Sequence, residues 1–299
     1  RVNKLIDGSI LHLQLTSPDV DFVHVHHPAG GNYENGYFRL AAHYKWALDQ
    51  VFQRRDIQRV IILEEDLLIA PDFFELFAAT KTLLDADQQL FGVSAWNDNG
   101  MSPSVRDAQQ LYRSDFFPGL GWMMPRRIWT ELGPRWPRAY WDDWLREPKQ
   151  RQGRHIIRPE VCRTFHIGQR GVSNSQYSTY LNSIRLNENA VSFTTMDLSY
   201  LQAEKWRELY LKQVRGATLI SLEDARSGRG LLAIKRAGQG EVRLVYDGFE
   251  GPGNSYSRLA EWSGAMDNVK AGVPRTAYEG IVSLWKNDVK VHLVPSSFS

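Results

Sequence analysis

Glu64-Glu65-Asp66 places three consecutive carboxylates directly after the apolar run Val60-Ile61-Ile62-Leu63. Like charges at that spacing repel, and beside an apolar strand each is costly to strip of water. A divalent cation, or hydroxyls donated by a ligand, would relieve both problems. Oxygen donors favour Mg²⁺ or Mn²⁺, ions that complete their shells with substrate phosphates and water. A solvated loop following a strand accounts for the same triplet, and the residues alone leave both readings open. The second group is Trp141-Asp142-Asp143-Trp144. An aspartate held beside indole rings would have raised proton affinity and act as a general base, while a ring stacks on a sugar. A helix start, with acids in its first turn and tryptophans in the core, explains the same four residues.

Phe116-Phe-Pro-Gly-Leu-Gly-Trp122 sets two glycines around Leu120. Glycine permits a positive φ or a close approach of backbone to a ligand, and a tight structural turn would use it equally. His24, His26 and His27 alternate on a short stretch but have no acid or cysteine nearby, so they read as ordinary histidines. Cys162 is the only cysteine; it can form no internal disulfide and reads as buried structure. Arg54-Arg55 and Arg126-Arg127 read as solvated faces. There is no nucleophile elbow and no glycine-rich phosphate loop.

These groups need elements to hold them. Asp21-Phe-Val-His-Val reads as a short strand and Pro28-Ala-Gly-Gly as a turn. Residues 37–53 carry Phe38, Ala41, Ala42, Lys45, Leu48, Val51 and Phe52 near one stripe, which predicts an amphipathic helix. Val60–Leu63 lacks alternation, as in a strand buried on both faces by helices. The acid triplet would then lie at a strand's carboxyl end, where open α/β sheets bind ligands. Pro71 and Asp72 start a second helix, and Leu90 to Trp96 reads as the next strand before an Asn97–Gly100 turn. Helix, strand, helix, strand predicts an α/β sheet with parallel connections. From about residue 204 the pattern changes to a helix and strands at 231–235, 242–246, 280–285 and 289–294. The last two are joined by the turn signal Lys286-Asn-Asp288, and together they form a smaller α+β unit.

Composition narrows the class. Among 299 residues, 42% are hydrophobic and 23% charged, which excludes a disordered or collagen-like chain. Ten Trp and 12% aromatic residues exceed what packing needs, and flat rings suit sugars or bases. A net charge of +2 gathers no phosphate backbone, which argues against a nucleic-acid binder. No stretch approaches about eighteen consecutive apolar residues, as a membrane-spanning helix needs. The chain opens at Arg1 rather than Met and reads as a processed or partial chain.

Read together, the segments resemble one family. They are Val60–Asp66, Ala70–Phe74, Ser94–Gly100, Leu111–Arg113, Asp115–Trp122, Tyr140–Trp144, Arg158–Thr164, Asp197–Leu201 and Gly272–Tyr278. In this order, from about residue 30 to 295, they are similar to the N-acetylglucosaminyltransferase I family. The resemblance implies a GT-A nucleotide-sugar-binding sheet over 1–168, a donor-covering loop and linker over 169–203, and a small C-terminal domain over 204–299. It implies inverting transfer of GlcNAc from UDP-GlcNAc to a mannose of the Man5GlcNAc2 N-glycan, with Mn²⁺, in the Golgi lumen. Asp66 would ligate Mn²⁺, and Asp142 would be the catalytic base. Glu64, Leu120 and Trp141 would bind the donor GlcNAc, and Glu65, where the family has Asp, would touch the nucleotide. His43 and Ser173 match donor-contacting positions, the latter on a loop, 169–181, that orders over bound donor. The resemblance also implies a membrane anchor, a stem and first βα units, expected before Arg1 or absent; those units carry an Arg and an Asp that hold the uridine and sugar. Phe91-Gly92 and His155 stand where vertebrate relatives carry a disulfide pair. The carboxylates alone also fit a metal-assisted hydrolase, and the aromatic content and expected missing strands fit a truncated, non-catalytic glycan-binding or interaction module.

Overall fold

The structure, a computed structural model, describes residues 23–27, 33–168, 178–236, 238 and 240–298. The helix expected at 37–53 spans Gly36–Gln53. Asn35 caps it by accepting from the Tyr37 N–H at 2.9 Å, and Ala41, Tyr44, Leu48 and Phe52 form its buried face. Strand β1 (Arg59–Ile62) follows, then β2 (Leu67–Ile69), the helix Phe73–Ala86 and strand β3 (Leu90–Ser94). Strands β4 (Leu111–Ser114), β5 (Trp122–Pro125), β6 (His155–Pro159) and β7 (Thr164–His166) complete this half.

The main sheet has the order β1-β5-β3-β6-β4, and it differs from the parallel sheet expected. Only β3 and β6 pair in parallel; β1–β5, β3–β5 and β4–β6 are antiparallel. The expected crossover does exist, since β1 and β3 run the same way. However, β5 inserts between them, antiparallel to both. Strand β1 is therefore an edge among the described strands, and its four residues are half-buried rather than enclosed on both faces. An apolar run identifies a strand but not its number of neighbours. Off this sheet, β2 and β7 form a two-stranded ribbon in which Leu67 pairs with His166.

In the C-terminal part, the helix Ala203–Gly216 precedes β8 (Thr218–Leu219), β9 (Glu241–Tyr246), a short ribbon of β10 (Val269–Lys270) and β11 (Val273–Pro274), and the hairpin β12 (Val282–Lys286) and β13 (Val289–Pro295). The sheet order is β12-β13-β9-β8. Asn287 and Asp288, at φ 50° and 64°, make the tight turn that the sequence announces. The strand expected at 231–235 is instead the helix Arg229–Arg236: Leu231 and Ile234 are buried while Leu232 is exposed, a helical spacing that a five-residue run conceals. The strand expected at 21–25 is also absent where described, since residues 23–27 have no regular structure and Val23 and Val25 are exposed.

One core of buried side chains runs from Phe73, Leu76, Leu90 and Ile157 through Trp206 and Tyr210 to Ile281 and Val294, so both sheets share it. Another joins Ala41, Tyr44 and Leu48 to Trp122, Trp129, Trp141 and Leu145. Cys162 is fully buried, and burial pushes its thiol up to about 12, as a structural cysteine requires. Among the described residues no helix is long and apolar enough to cross a membrane.

Candidate active site

The acid triplet occupies the turn between β1 and β2, at the carboxyl end of β1. Tyr44 donates to Glu64 Oε1 at 2.6 Å. Burial raises the Glu64 carboxyl above its usual range, opposed by that bond and reinforced by Asp66 and Glu65. Burial, then the charge of Glu64, holds the Tyr44 phenol well above its usual value, with Asp142 adding to the effect. His43, one position earlier on the same helix, is lowered by burial and by His27 and raised by Glu65. Helix 36–53 thus sets two side chains against the triplet.

Asp66 is held by both its side chain and its backbone. His166 Nε2 lies 3.0 Å from its Oδ2, and the Ile167 N–H donates to its backbone carbonyl at 2.8 Å. Its Oδ1 is buried with no hydrogen-bond partner. A buried acceptor without a partner is costly, which is the condition a cation would relieve. A Cβ on Gly168 would fall 2.5 Å from Asp66 Oδ2, so a larger residue there would displace the Asp66 carboxylate. Among the described residues, no three His, Cys, Asp or Glu side chains converge as a ready metal cage. Asp66 therefore fits an ion that takes one or two protein ligands and fills its shell with phosphate oxygens and water. The His24 and His26 rings contact each other and His27 contacts His43 and Trp46, and among the described residues they form no metal group.

The glycine segment is a turn of three successive left-handed residues: Gly119, Leu120 and Gly121 have φ of 71°, 52° and 86°. Leucine in that region costs about 1–2 kcal/mol, and the turn is held firmly enough to carry it. Ser94 Oγ donates to the Gly119 carbonyl at 2.9 Å, Thr164 Oγ1 to the Leu120 carbonyl at 2.7 Å and the Ala95 N–H to the Gly121 carbonyl at 2.8 Å. Thr164 opens β7, whose last residue is His166, so this turn and Asp66 share one ribbon.

Trp141-Asp142-Asp143-Trp144 opens the helix Trp141–Arg146, entered through Tyr140 in the left-handed region. The motif is a helix start with both acids in its first turn. Arg146, almost wholly buried, donates through Nη1 to Asp142 Oδ2 and Asp143 Oδ1, both at 2.8 Å, and through Nε to the Phe117 carbonyl at 2.9 Å. Burial works against the Asp143 charge, but Lys270, 3.1 Å away, and Arg146 prevail and hold its carboxyl below the usual range. Asp142 has Arg146 as its ion-pair partner and keeps 44% of its side chain exposed. The Trp141 ring is buried, stacked on Tyr44 with centroids 4.2 Å apart and against Trp136 at 5.8 Å. Tyr44 therefore links the two acidic groups, bonding Glu64 and stacking on the residue before Asp142.

The structure gathers His43, Glu64, Glu65 and Asp66, and joins Leu120, Trp141 and Asp142 to them through Thr164 and Tyr44. Ser173 and most of the 169–181 loop lie outside the described residues. An open hollow of about 320 Å³ lined by Phe38, Ala42, Trp136 and Arg138 includes none of these acids; the chemistry, not the volume, marks the site. Tyr44, Arg146 and His166 were missed in the sequence. Arg146 had a signal, since Asp142 and Arg146 stand at i,i+4. Tyr44 hid among core aromatics, and His166 comes beside Asp66 only through the β2–β7 pairing.

The described strands form a mixed α/β sheet with the acid triplet at the carboxyl end of β1. The particular family follows from similarity: residues 8–298 match the GNT-I family, and the chain belongs to it. It is 46% identical over 248 residues to alpha-1,3-mannosyl-glycoprotein 2-beta-N-acetylglucosaminyltransferase of Arabidopsis thaliana, covering 82% of this chain and 53% of that protein. The chain thus spans about half the length of the curated relative it matches.

Proposed function

We propose that the chain carries the catalytic site of an inverting, Mn²⁺-assisted N-acetylglucosaminyltransferase on a GT-A sheet. It moves GlcNAc from UDP-GlcNAc, in β-1,2 linkage, to the α-1,3-arm mannose of Man5GlcNAc2 on glycoproteins. Family membership and the plant relative's name support the reaction class. The observation that carries the residue assignment is the partnerless, buried Asp66 Oδ1 at the end of β1. The whole protein is read as a Golgi-lumen enzyme held by a single-pass type II anchor, with 204–299 as its small C-terminal domain.

Asp66 would hold a Mn²⁺ ion, which when bound would supply Lewis-acid neutralisation of the diphosphate. His43 and Glu65 face the nucleotide sugar, and Glu64, kept in place by Tyr44, accepts a donor hydroxyl. Leu120, Trp141 and Ser173 complete the donor site. Asp142 takes the proton of the mannose 2-hydroxyl as that oxygen attacks the anomeric carbon opposite the departing UDP. Arg146 fixes the carboxylate for that transfer. A single displacement inverts the stereocentre, so no protein nucleophile is required.

Transfer from UDP-GlcNAc to Man5GlcNAc2 by the wild type and Asp142→Asn tests this. The expected loss is about 10²–10⁴-fold in kcat, with donor binding retained. Equal turnover by the two proteins would reject Asp142 as base. Donor consumed at one rate with or without acceptor would point to hydrolysis instead.

A further inference from the structure

We propose that His166 is a second protein ligand to the divalent cation at Asp66, binding through Nε2. This rests on the metal reading of Asp66 given above. His166 Nε2 and Asp66 Oδ2 are 3.0 Å apart. Adjacent donors around one octahedral ion with bonds of about 2.1 Å stand roughly 3 Å from each other. The two atoms already form such an edge.

The backbone sets that edge. Leu67 pairs with His166 across the β2–β7 ribbon, and the Ile167 N–H holds the Asp66 carbonyl at 2.8 Å, so both side chains spring from one rigid ladder. Gly168 keeps the approach open: a Cβ there would sit 2.5 Å from Asp66 Oδ2 and 3.0 Å from His166 Nε2. Asp66 Oδ1 has no partner, and the His166 side chain is 23% exposed, within reach of an ion and its waters. Glu64 is engaged by Tyr44, and Glu65 is exposed. His166 is therefore the side chain that stands against Asp66. An imidazole ligand among oxygens moves a site's preference from Mg²⁺ toward Mn²⁺ and the later first-row ions.

The alternative is that His166 only orients Asp66 by a hydrogen bond. Asn and Gln retain an N–H donor for Asp66 but offer no imidazole nitrogen, so His166→Asn and His166→Gln separate the two roles. Mn²⁺ is titrated into the full chain with UDP, and pulsed EPR reads nitrogen bound directly to the ion. The wild type is expected to show nitrogen hyperfine coupling that both variants lose. Mn²⁺ affinity is expected to fall roughly tenfold in both, and Mg²⁺ affinity to change much less. Mn²⁺ binding that Asp66→Asn abolishes, with no nitrogen coupling or with coupling unchanged in both variants, overturns the role of His166 and leaves Asp66 standing. Absence of Mn²⁺ binding, or binding indifferent to Asp66→Asn, overturns both assignments.

Discussion

Asp142 is held by Arg146, and that neighbour is testable without touching the proposed base. Arg146 grips Asp142 and Asp143 together and anchors itself on the Phe117 carbonyl. Arg146→Met frees the carboxylate, and a displacement of about 1 Å can cost up to 100-fold in rate. Steady-state kinetics should show that loss in kcat, with donor affinity from calorimetry unchanged. A fall in donor affinity alone would assign Arg146 to the donor pocket instead. At this scale the sequence displayed the carboxylates openly, because charge beside an apolar run or between tryptophans is visible in one dimension. It did not display Tyr44 or His166. Each acquires its part from a contact across the fold, a 2.6 Å bond to Glu64 and a 3.0 Å approach to Asp66.

Strand β7 carries the site's second wall, and a buried ion pair anchors its approach. Arg163, just before β7, donates to Asp72 Oδ2 through Nε at 3.1 Å and Nη2 at 2.9 Å, and Asn187 donates to the same oxygen at 3.0 Å. Both charged residues are essentially unexposed. Removing one partner strands the other, so Asp72→Ala should cost about 3–5 kcal/mol by urea unfolding. A change near zero would mean that the guanidinium finds water or another acceptor. A second buried chain ties the C-terminal sheet together: Tyr210 Oη and Ser283 Oγ are 2.6 Å apart, Ser283 Oγ and His292 Nδ1 2.7 Å, and His292 Nε2 and Glu241 3.3 Å. The neutral imidazole protonated on Nε2 satisfies every bond. Burial lowers the His292 value, opposed by Glu241, so the unfolded chain binds a proton that the folded one resists. Its contribution is complete above about pH 6.5 and is lost as pH falls below that. Glu241 is depressed against its burial by His292 and Gln213, and its contribution disappears lower, as pH falls through the carboxylate range. Denaturant midpoints should therefore drop on acidification from about pH 7.5 to 5.5 in the wild type, and His292→Asn should flatten that slope. An equal slope in the two proteins contradicts a buried neutral ring. Helix 36–53 and the β12–β13 hairpin were legible because stripe and turn chemistry are local. Strand partners were not: nothing in Trp122–Pro125 announces that it separates β1 from β3, nor in Leu231–Lys235 that its period is helical.

Trp206 stands where the two sheets meet. It packs with Tyr210 at 5.0 Å and edge-on to Tyr112 at 5.7 Å and Tyr278 at 6.0 Å, within the core that reaches both sheets. Trp206→Ala should cost about 3–5 kcal/mol, and the wild type should unfold in one transition by fluorescence and circular dichroism alike. Two resolved transitions would show that 204–299 folds as an independent unit. Across the whole molecule, the proposed transfer depends on two acids acting at opposite ends of one bond exchange, Asp66 toward the diphosphate and Asp142 toward the sugar alcohol. A crystal structure of the chain with Mn²⁺ and UDP-GlcNAc tests this most directly. The account predicts the cation bonded to Asp66 at about 2.1 Å, with the anomeric carbon presented to an acceptor oxygen within hydrogen-bond reach of Asp142. A cation seated away from Asp66, or an anomeric carbon turned away from Asp142, would contradict it.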